Sequence, residues 1–148
     1  MLTPYRTILA YGAIGIVIFI AGFIEYVHFE PFGRGSGVHA HITGVFSYDP
    51  KTKTTTGSDR STFARSEQFA AVVDWSGIPD TLNVQAIWID SFENVVGSAG
   101  PPTRIVPAVV PEGLKYHLPG QYIFAVERLE GGRPVEVLGR RIVFVDRL

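Results

Sequence analysis

The feature that most constrains this chain is an uncharged apolar run near its start. From Ile8 to Ile24 the sequence reads ILAYGAIGIVIFIAGFI, which is 17 residues without Asp, Glu, Lys or Arg. A bilayer core needs about 20 helical residues, and about 17 lies near the lower limit. Pro4 suits a helix start and Pro31 suits the exit from one. The run predicts a transmembrane helix over roughly Pro4–Phe29, so that residues 1–29 form a membrane anchor.

The residues at the two ends of this run fit the two faces of a membrane. Tyr5 and Arg6 precede it, and Tyr26 and His28 follow it, which is the pattern of side chains at a membrane interface. Positive charge favours the cytoplasmic side of a membrane, and Arg6 comes before the run. We therefore expect a bacterial inner (cytoplasmic) membrane protein with a cytoplasmic N-terminus and a periplasmic C-terminal domain.

A cleaved signal peptide is the alternative interpretation of the same run. Arg6 would then serve as the charged region before the apolar segment. The run ends in Gly22-Phe23-Ile24-Glu25-Tyr26-Val27, which offers no A-x-A cleavage pattern. The sequence therefore favours an anchor that is kept.

Small residues line one side of the predicted helix. At 100° per residue, Gly12, Gly15, Phe19 and Gly22 fall within a sector of about 80°. Such a stripe lets another helix or a flat cofactor approach the backbone closely, although glycine is also simply common in membrane helices. The run contains no His, Asp, Asn or Gln that would ligate haem or chlorophyll. We predict a helix-packing face and no cofactor of the chain's own, with contacts limited to the pigments or lipids of a host complex.

The remainder of the chain is predicted to be a β-domain. Residues 30–37 form a Pro/Gly-rich connector, and residues 38–148 contain about seven short strands at turn spacings near ten residues, typical of a two-sheet sandwich. The segment from Asp49 to Thr62 is expected to be a long polar loop, and Gly97–Gly100 another loop. The predicted strands are Val38–Phe46, Gln68–Trp75, Asn83–Asp90, Val95–Val96, Arg104–Val110, Gln121–Leu129 and Val135–Val145.

One segment resembles a known family. Leu118-Pro119-Gly120-Gln121-Tyr122-Ile123-Phe124-Ala125-Val126 is similar to the start of the penultimate strand in immunoglobulin-like and fibronectin type III domains. The resemblance implies that Tyr122 is a corner tyrosine whose hydroxyl bonds upstream backbone, and that Trp75 or Trp88 is a core tryptophan. It implies an Ig-like sandwich and no particular function.

Two histidines are the best metal candidate. His39 and His41 stand at i and i+2, so on a strand both imidazoles would point to one face. A third ligand such as His117 or Asp49 would be needed, and surface histidines are the commoner explanation. We therefore predict no metal site.

Composition excludes several chemistries. The chain has no Cys and one Met, which excludes thiolate metal sites and thiol nucleophiles. The layout of an anchor and a sandwich resembles cytochrome oxidase subunit II, but the Cys and Met ligands of its copper are missing. No G-x-S-x-G context occurs, and the carboxylates of Asp74, Asp80, Asp90 and Glu93 lie near turns, where they cap. A net charge of −1 gives no footprint for nucleic acid. We expect no enzyme.

Two functions stay open on this basis. The first is a non-catalytic accessory subunit that stabilises or assembles a multi-subunit bioenergetic membrane complex, with a photosynthetic reaction-centre/light-harvesting complex favoured slightly over a respiratory one. Its partners would be membrane lipids and other transmembrane subunits. The second is a membrane-anchored periplasmic or surface module that binds a glycan or a protein.

Overall fold

A computed structural model describes residues 35–148. The predicted anchor, its packing face and its interface residues Tyr5, Arg6, Tyr26 and His28 lie outside the described residues. Residues Val38–Leu148 form one compact unit. Between residues 35 and 148 the chain forms strands and turns and no helix, so this part holds no helix that could cross a bilayer.

The described residues form nine strands in two sheets. The first sheet has four strands in the order β2-β1-β4-β7, and the second has five in the order β3-β9-β8-β5-β6. All neighbours pair antiparallel except β3 and β9, which pair in parallel. The strands are β1 (His41–Asp49), β2 (Thr54–Thr56), β3 (Thr62–Phe63), β4 (Phe69–Asp74), β5 (Val84–Ile89), β6 (Val95–Ala99), β7 (Ile105–Pro107), β8 (Gly120–Glu130) and β9 (Arg133–Val145).

The two sheets enclose an aromatic core. Phe69 of β4 stacks on Phe63 with ring centroids 4.7 Å apart, and its ring meets the edges of Trp88 at 5.4 Å and Tyr122 at 5.7 Å. Phe124 lies 5.0 Å from Trp88. All five rings are fully buried, so each sheet contributes large apolar side chains from alternate positions of its strands.

Both sides of the sandwich are closed by contacts between the sheets. On one side the Val109 amide donates to the Val96 carbonyl oxygen at 2.6 Å. On the other side the Ala40 amide donates to the Leu138 carbonyl oxygen at 2.9 Å. There Nη2 of Arg141 on β9 contacts both carboxylate oxygens of Asp59, at 3.0 and 2.9 Å.

The sequence predicts the layout well and several boundaries poorly. The expectation of a two-sheet all-β domain is confirmed, with nine strands in the described residues instead of about seven. The predicted loop from Asp49 to Thr62 contains β2, because its threonines pair with the end of β1. The predicted loop Gly97–Gly100 is mostly strand, since β6 continues to Ala99 on the edge of the second sheet.

Candidate functional site

The His39/His41 pair does not form a metal site with the proposed partners. β1 begins at His41, so His39 precedes the strand, and both side chains are exposed. Asp49 closes the same strand, which puts it roughly 26 Å from His41 at about 3.3 Å per residue. Residues 35–148 contain no group of three or more His, Asp or Glu side chains that could hold a metal ion.

His117, the other proposed ligand, lies in the core. It is fully buried against Phe69 and Tyr122, with ring centroids 4.8 and 6.0 Å away. Among residues 35–148 neither ring nitrogen has a hydrogen-bond partner, and burial lowers the pKa of His117 to about 4. Its backbone is fixed by Arg65, whose carbonyl oxygen accepts the His117 amide at 3.1 Å and whose Nε donates to the His117 carbonyl oxygen at 3.0 Å. The imidazole is therefore neutral at pH 7 and packs in the core against Phe69 and Tyr122.

Tyr122 has the geometry that the family resemblance implies for a corner tyrosine. Its hydroxyl donates to the carbonyl oxygen of Leu118 at 2.9 Å, four residues upstream. The ring is fully buried, and this burial is the main cause that raises the pKa of Tyr122 to about 12. Trp88, not Trp75, is the fully buried tryptophan, and its indole N–H donates to the Val106 carbonyl oxygen at 2.8 Å.

The carboxylates of Asp74 and Asp90, which lie near turns, accept hydrogen bonds from backbone amides. Asp90 is 4% exposed, and its Oδ1 accepts the amides of Phe92 and Asn94 at 2.9 Å each. Oδ1 of Asp74 accepts the Ser76 amide at 3.0 Å, and this bond is the main cause that lowers the pKa of Asp74. Each carboxylate therefore satisfies the donors of its own turn.

The centre of the outer surface of the four-stranded sheet is apolar, which the sequence analysis did not foresee, while His41 and Asp74 pair on the same side at one end. Phe46 pairs with Ala70, which pairs with Pro107, and Val72 of the next row pairs with Ile105. Their neighbours Val45, Ala71 and Val106 are in the core, so these side chains point outward. An antiparallel sheet with one solvated face normally carries polar residues there. We call this surface the tyrosine face, defined by Phe46, Tyr48, Val72, Ile105 and Pro107.

Two open depressions lie on the tyrosine face, and Tyr48 lines both. One has a volume of about 510 Å³ and is also lined by Pro107, Val109 and Leu114. The other has a volume of about 440 Å³ and is also lined by Ile105. Val109 and Leu114 are 54% and 47% exposed, which is high for residues of this size and type. The face therefore offers two hollows with largely apolar walls, each wide enough for more than one side chain.

Cationic side chains stand around these depressions. Lys115 lines the larger one, while Lys53 and Arg104 line the smaller one, and no carboxylate of the described residues lines either. Among residues 35–148, none of the three cations belongs to an ion pair. Arg104 does lie near enough to Asp74 to contribute to the lowering of its pKa.

The outer surface of the five-stranded sheet differs in its charges. Ile89, Ile123 and Ile142 form a row across β5, β8 and β9 in register. A shallower depression of about 280 Å³ lies beside this row and is lined by Asp90 and Glu93 together with Ile89 and Ile123. The hollow on this sheet therefore carries carboxylates, in contrast to the cations of the tyrosine face.

A cleft opens at the end of the sandwich where β1 begins. It has a volume of about 430 Å³, an apolar floor that includes Ile78 and Leu82, and a wall formed by Trp75. The Trp75 indole N–H donates to the Thr103 carbonyl oxygen at 2.8 Å, which fixes the ring. Asp80 and Asn83 line the cleft, and their side chains make no hydrogen bond to other described residues.

Comparisons with known proteins add no relative to this description. The chain matches no protein family model, no curated protein and no solved structure.

Proposed function

We propose that this chain is a non-catalytic, single-pass accessory subunit that stabilises or assembles a multi-subunit membrane complex. The observation that carries this proposal is the tyrosine face, an apolar outer sheet surface with two hollows. The residues of this face are half-buried, while Val109 and Leu114 beside it are exposed. Apolar surface that is open to solvent marks sites of interaction with other proteins or membranes. The apolar run Ile8–Ile24 supports the membrane location, and the stripe of Gly12, Gly15, Phe19 and Gly22 supports helix packing within the bilayer.

In this proposal the anchor crosses a bacterial inner membrane with its N-terminus in the cytoplasm. The sandwich then lies in the periplasm and docks on extramembrane parts of the neighbouring subunits. Lipids and transmembrane subunits are its partners, and it carries no cofactor of its own. That the host complex is bioenergetic, and of the photosynthetic type more than the respiratory, stays a prediction.

We further propose that the sandwich is of the immunoglobulin type. The bond from the Tyr122 hydroxyl to the Leu118 carbonyl oxygen supports this, since the resemblance implies such a corner. The burial of Trp88 between the sheets supports it as well. The fold type by itself assigns no partner.

Purification of the full chain from its native membrane in a mild detergent tests the main proposal. We expect one large particle that contains other transmembrane polypeptides. Gly15→Leu should release the chain from this particle, because a large side chain blocks close helix approach. Val17→Leu, on the opposite side of the predicted helix, is the matched control and should leave the particle intact. Recovery of the wild-type chain alone as a monodisperse monomer would contradict the proposal.

The second candidate function is a membrane-anchored module that binds a glycan. The Trp75 cleft favours it, because an indole wall beside a carboxylate and an amide that make no hydrogen bond to other described residues suits the apolar face and the hydroxyls of a sugar. A tryptophan-fluorescence titration of the full chain with cellobiose and with chitobiose tests it. Saturable binding that Asp80→Asn and Asn83→Ala weaken would support this function, and no saturable change with either disaccharide would count against it.

A further inference from the structure

We infer that the tyrosine face binds a protein partner whose contact surface is apolar and rimmed by carboxylates. This inference rests on the proposed function, because it names the partner chemistry of the same docking surface. The register of β1, β4 and β7 turns Phe46, Val72 and Ile105 outward together. These side chains lie outside the core and half-buried among their own neighbours.

The charge of the rim selects the partner. Lys53, Arg104 and Lys115 line the two hollows that flank Tyr48, and no carboxylate of residues 35–148 lines either hollow. The described part of the chain does hold four ion pairs, but each uses other cations: Arg60, Arg128 twice and Arg141. Lys53, Arg104 and Lys115 form no ion pair with the other described residues, although Arg104 lies near Asp74. Their place around an apolar centre matches the anatomy of an interface, whose rim is polar and whose core is apolar. Complementary carboxylates on the partner would steer association and fix its register.

The same charges disfavour a symmetric dimer through this face. A two-fold interface brings the same surface patch of each copy together. The cations of one copy would then approach the same cationic patch of the other, and like charges across an interface are unfavourable. Among residues 35–148, no carboxylate that a second copy could supply lines either hollow.

The shape of the face favours a protein over a lipid surface. Hollows of about 510 and 440 Å³ receive protruding side chains, whereas a bilayer presents no such protrusions. Proteins that lie on membranes instead insert an apolar face into the boundary between headgroups and acyl chains. Several side chains of the partner, seated beside Tyr48, would fill such a hollow and exclude water from the contact.

Site-specific photocross-linking of the full chain in its native membrane complex tests the inference. The cross-linker p-benzoylphenylalanine replaces Tyr48 between the two hollows. It replaces Phe144, 51% exposed on the outer side of the five-stranded sheet, as the matched aromatic control. We expect Tyr48→p-benzoylphenylalanine to cross-link one subunit of the complex at a peptide that carries Asp or Glu beside apolar residues. The Phe144 variant should cross-link that subunit at least tenfold less.

Charge variants give the second arm. Lys53→Glu with Lys115→Glu should lower the yield of the Tyr48 cross-link about tenfold or more, while Lys53→Arg with Lys115→Arg should keep it. Tryptophan fluorescence of each variant shows whether the sandwich is folded, since Trp75 and Trp88 are the only tryptophans of the chain. Phosphatidylglycerol vesicles, offered to the purified full chain in detergent-free nanodiscs, probe the lipid alternative.

Four results would overturn the inference while the complex itself stays intact and the proposed function stands. The first is binding to lipid, seen either as a Tyr48 cross-link to lipid or as vesicle binding that needs the tyrosine face. The second and third are Tyr48 cross-links to residues 1–34 of the same chain and to a second copy of the chain. The fourth is a cross-link yield that charge reversal does not change. If the chain instead purifies alone, the proposed function fails before the docking surface is reached. The two failures are therefore distinguishable.

Discussion

The hydroxyl of Tyr122 donates to the carbonyl oxygen of Leu118 at 2.9 Å, across the turn through which the chain enters β8. The ring of Tyr122 meanwhile lies fully buried beside Phe69 and His117. One side chain therefore joins the core to the long connection between β7 and β8. That connection holds Val109 and Leu114, which line a hollow of the tyrosine face, so the corner helps to position the proposed docking surface.

We expect Tyr122→Phe to lower the free energy of unfolding by about 1–2 kcal/mol, because it removes one hydrogen bond and leaves a carbonyl oxygen without its partner. Denaturant unfolding of the full chain in detergent, followed by tryptophan fluorescence, measures this. Tyr116→Phe is the matched control, since Tyr116 is 40% exposed and its hydroxyl makes no hydrogen bond to other described residues. An equal loss in both variants would show that the corner bond does not stabilise the fold.

His117 predicts a pH dependence of stability. Its pKa is about 4 in the folded chain and 6.5 by its ordinary value, so the unfolded chain binds the proton more tightly. The contribution of neutral His117 to the free energy of unfolding is complete above pH 6.5. It is lost as the pH falls towards 4, by roughly 3 kcal/mol in all. Unfolding midpoints between pH 7.5 and pH 4 measure the loss.

His117→Phe should flatten this pH dependence, because the variant fills the same apolar site without a titrating group. His39→Ala should leave the pH dependence unchanged, since that side chain is exposed. Glu67 and Asp74 also have lowered pKa values, so part of the loss near pH 4 persists in every variant. A profile of His117→Phe as steep as that of the wild type would contradict the assignment.

Some features of the fold follow from the sequence by simple rules. Alternating apolar residues with Gly and Pro turns predict a sandwich, and Leu118-Pro119-Gly120 before Tyr122 predicts the corner. The proline at 107 predicts an edge strand, and β7 does lie at the edge of its sheet. These features depend on residues that are close in sequence.

The tyrosine face could not be found in the same way, although one signal was present. The strand QFAAVVDW is apolar at successive positions, which is typical of a strand covered on both sides. Which residues share its outer side depends on the bulge near Gly44 and on pairing with β7, and neither follows from local sequence. The burial of His117 does not follow from local sequence either, since only the tertiary fold encloses it between Phe69 and Tyr122.

We expect replacement of Arg141 and of its neighbour Arg140 by alanine to have unequal effects on the free energy of unfolding. Arg141 contacts the carboxylate of Asp59, 82 residues away in sequence, and so links β9 to the segment beside β1. Arg140 is exposed and makes no ion pair with the other described residues. Because the Arg141 pair is partly exposed, we expect Arg141→Ala to cost about 0.5–1 kcal/mol and Arg140→Ala to cost nothing measurable.

A double-mutant cycle between Arg141→Ala and Asp59→Asn measures the coupling directly. Asp59 Oδ1 also accepts the Val45 amide at 2.8 Å, so Asn at this position keeps an acceptor for that bond. We expect the coupling energy to shrink in 1 M NaCl, because salt screens partly exposed charges. A coupling of zero at low salt would show that the contact does not hold the two sheets together.

A side chain at Gly97 would disturb the contact between β6 and β7, at the edges of the two sheets. A Cβ atom at this position would lie 2.4 Å from the Pro107 carbonyl oxygen and 3.3 Å from the Trp88 ring. The clash is with backbone, so the edges of the two sheets would have to separate. We expect Gly97→Ala to lower the free energy of unfolding by about 1–3 kcal/mol, as overpacking usually does.

The matched control is Gly77→Ala, where a Cβ meets no atom within 4 Å and the backbone is not left-handed, so stability should change by less than about 0.5 kcal/mol. Because Pro107 belongs to the tyrosine face, Gly97→Ala should also reduce the Tyr48 cross-link, and an unchanged stability would show that the two edges are not in contact in solution.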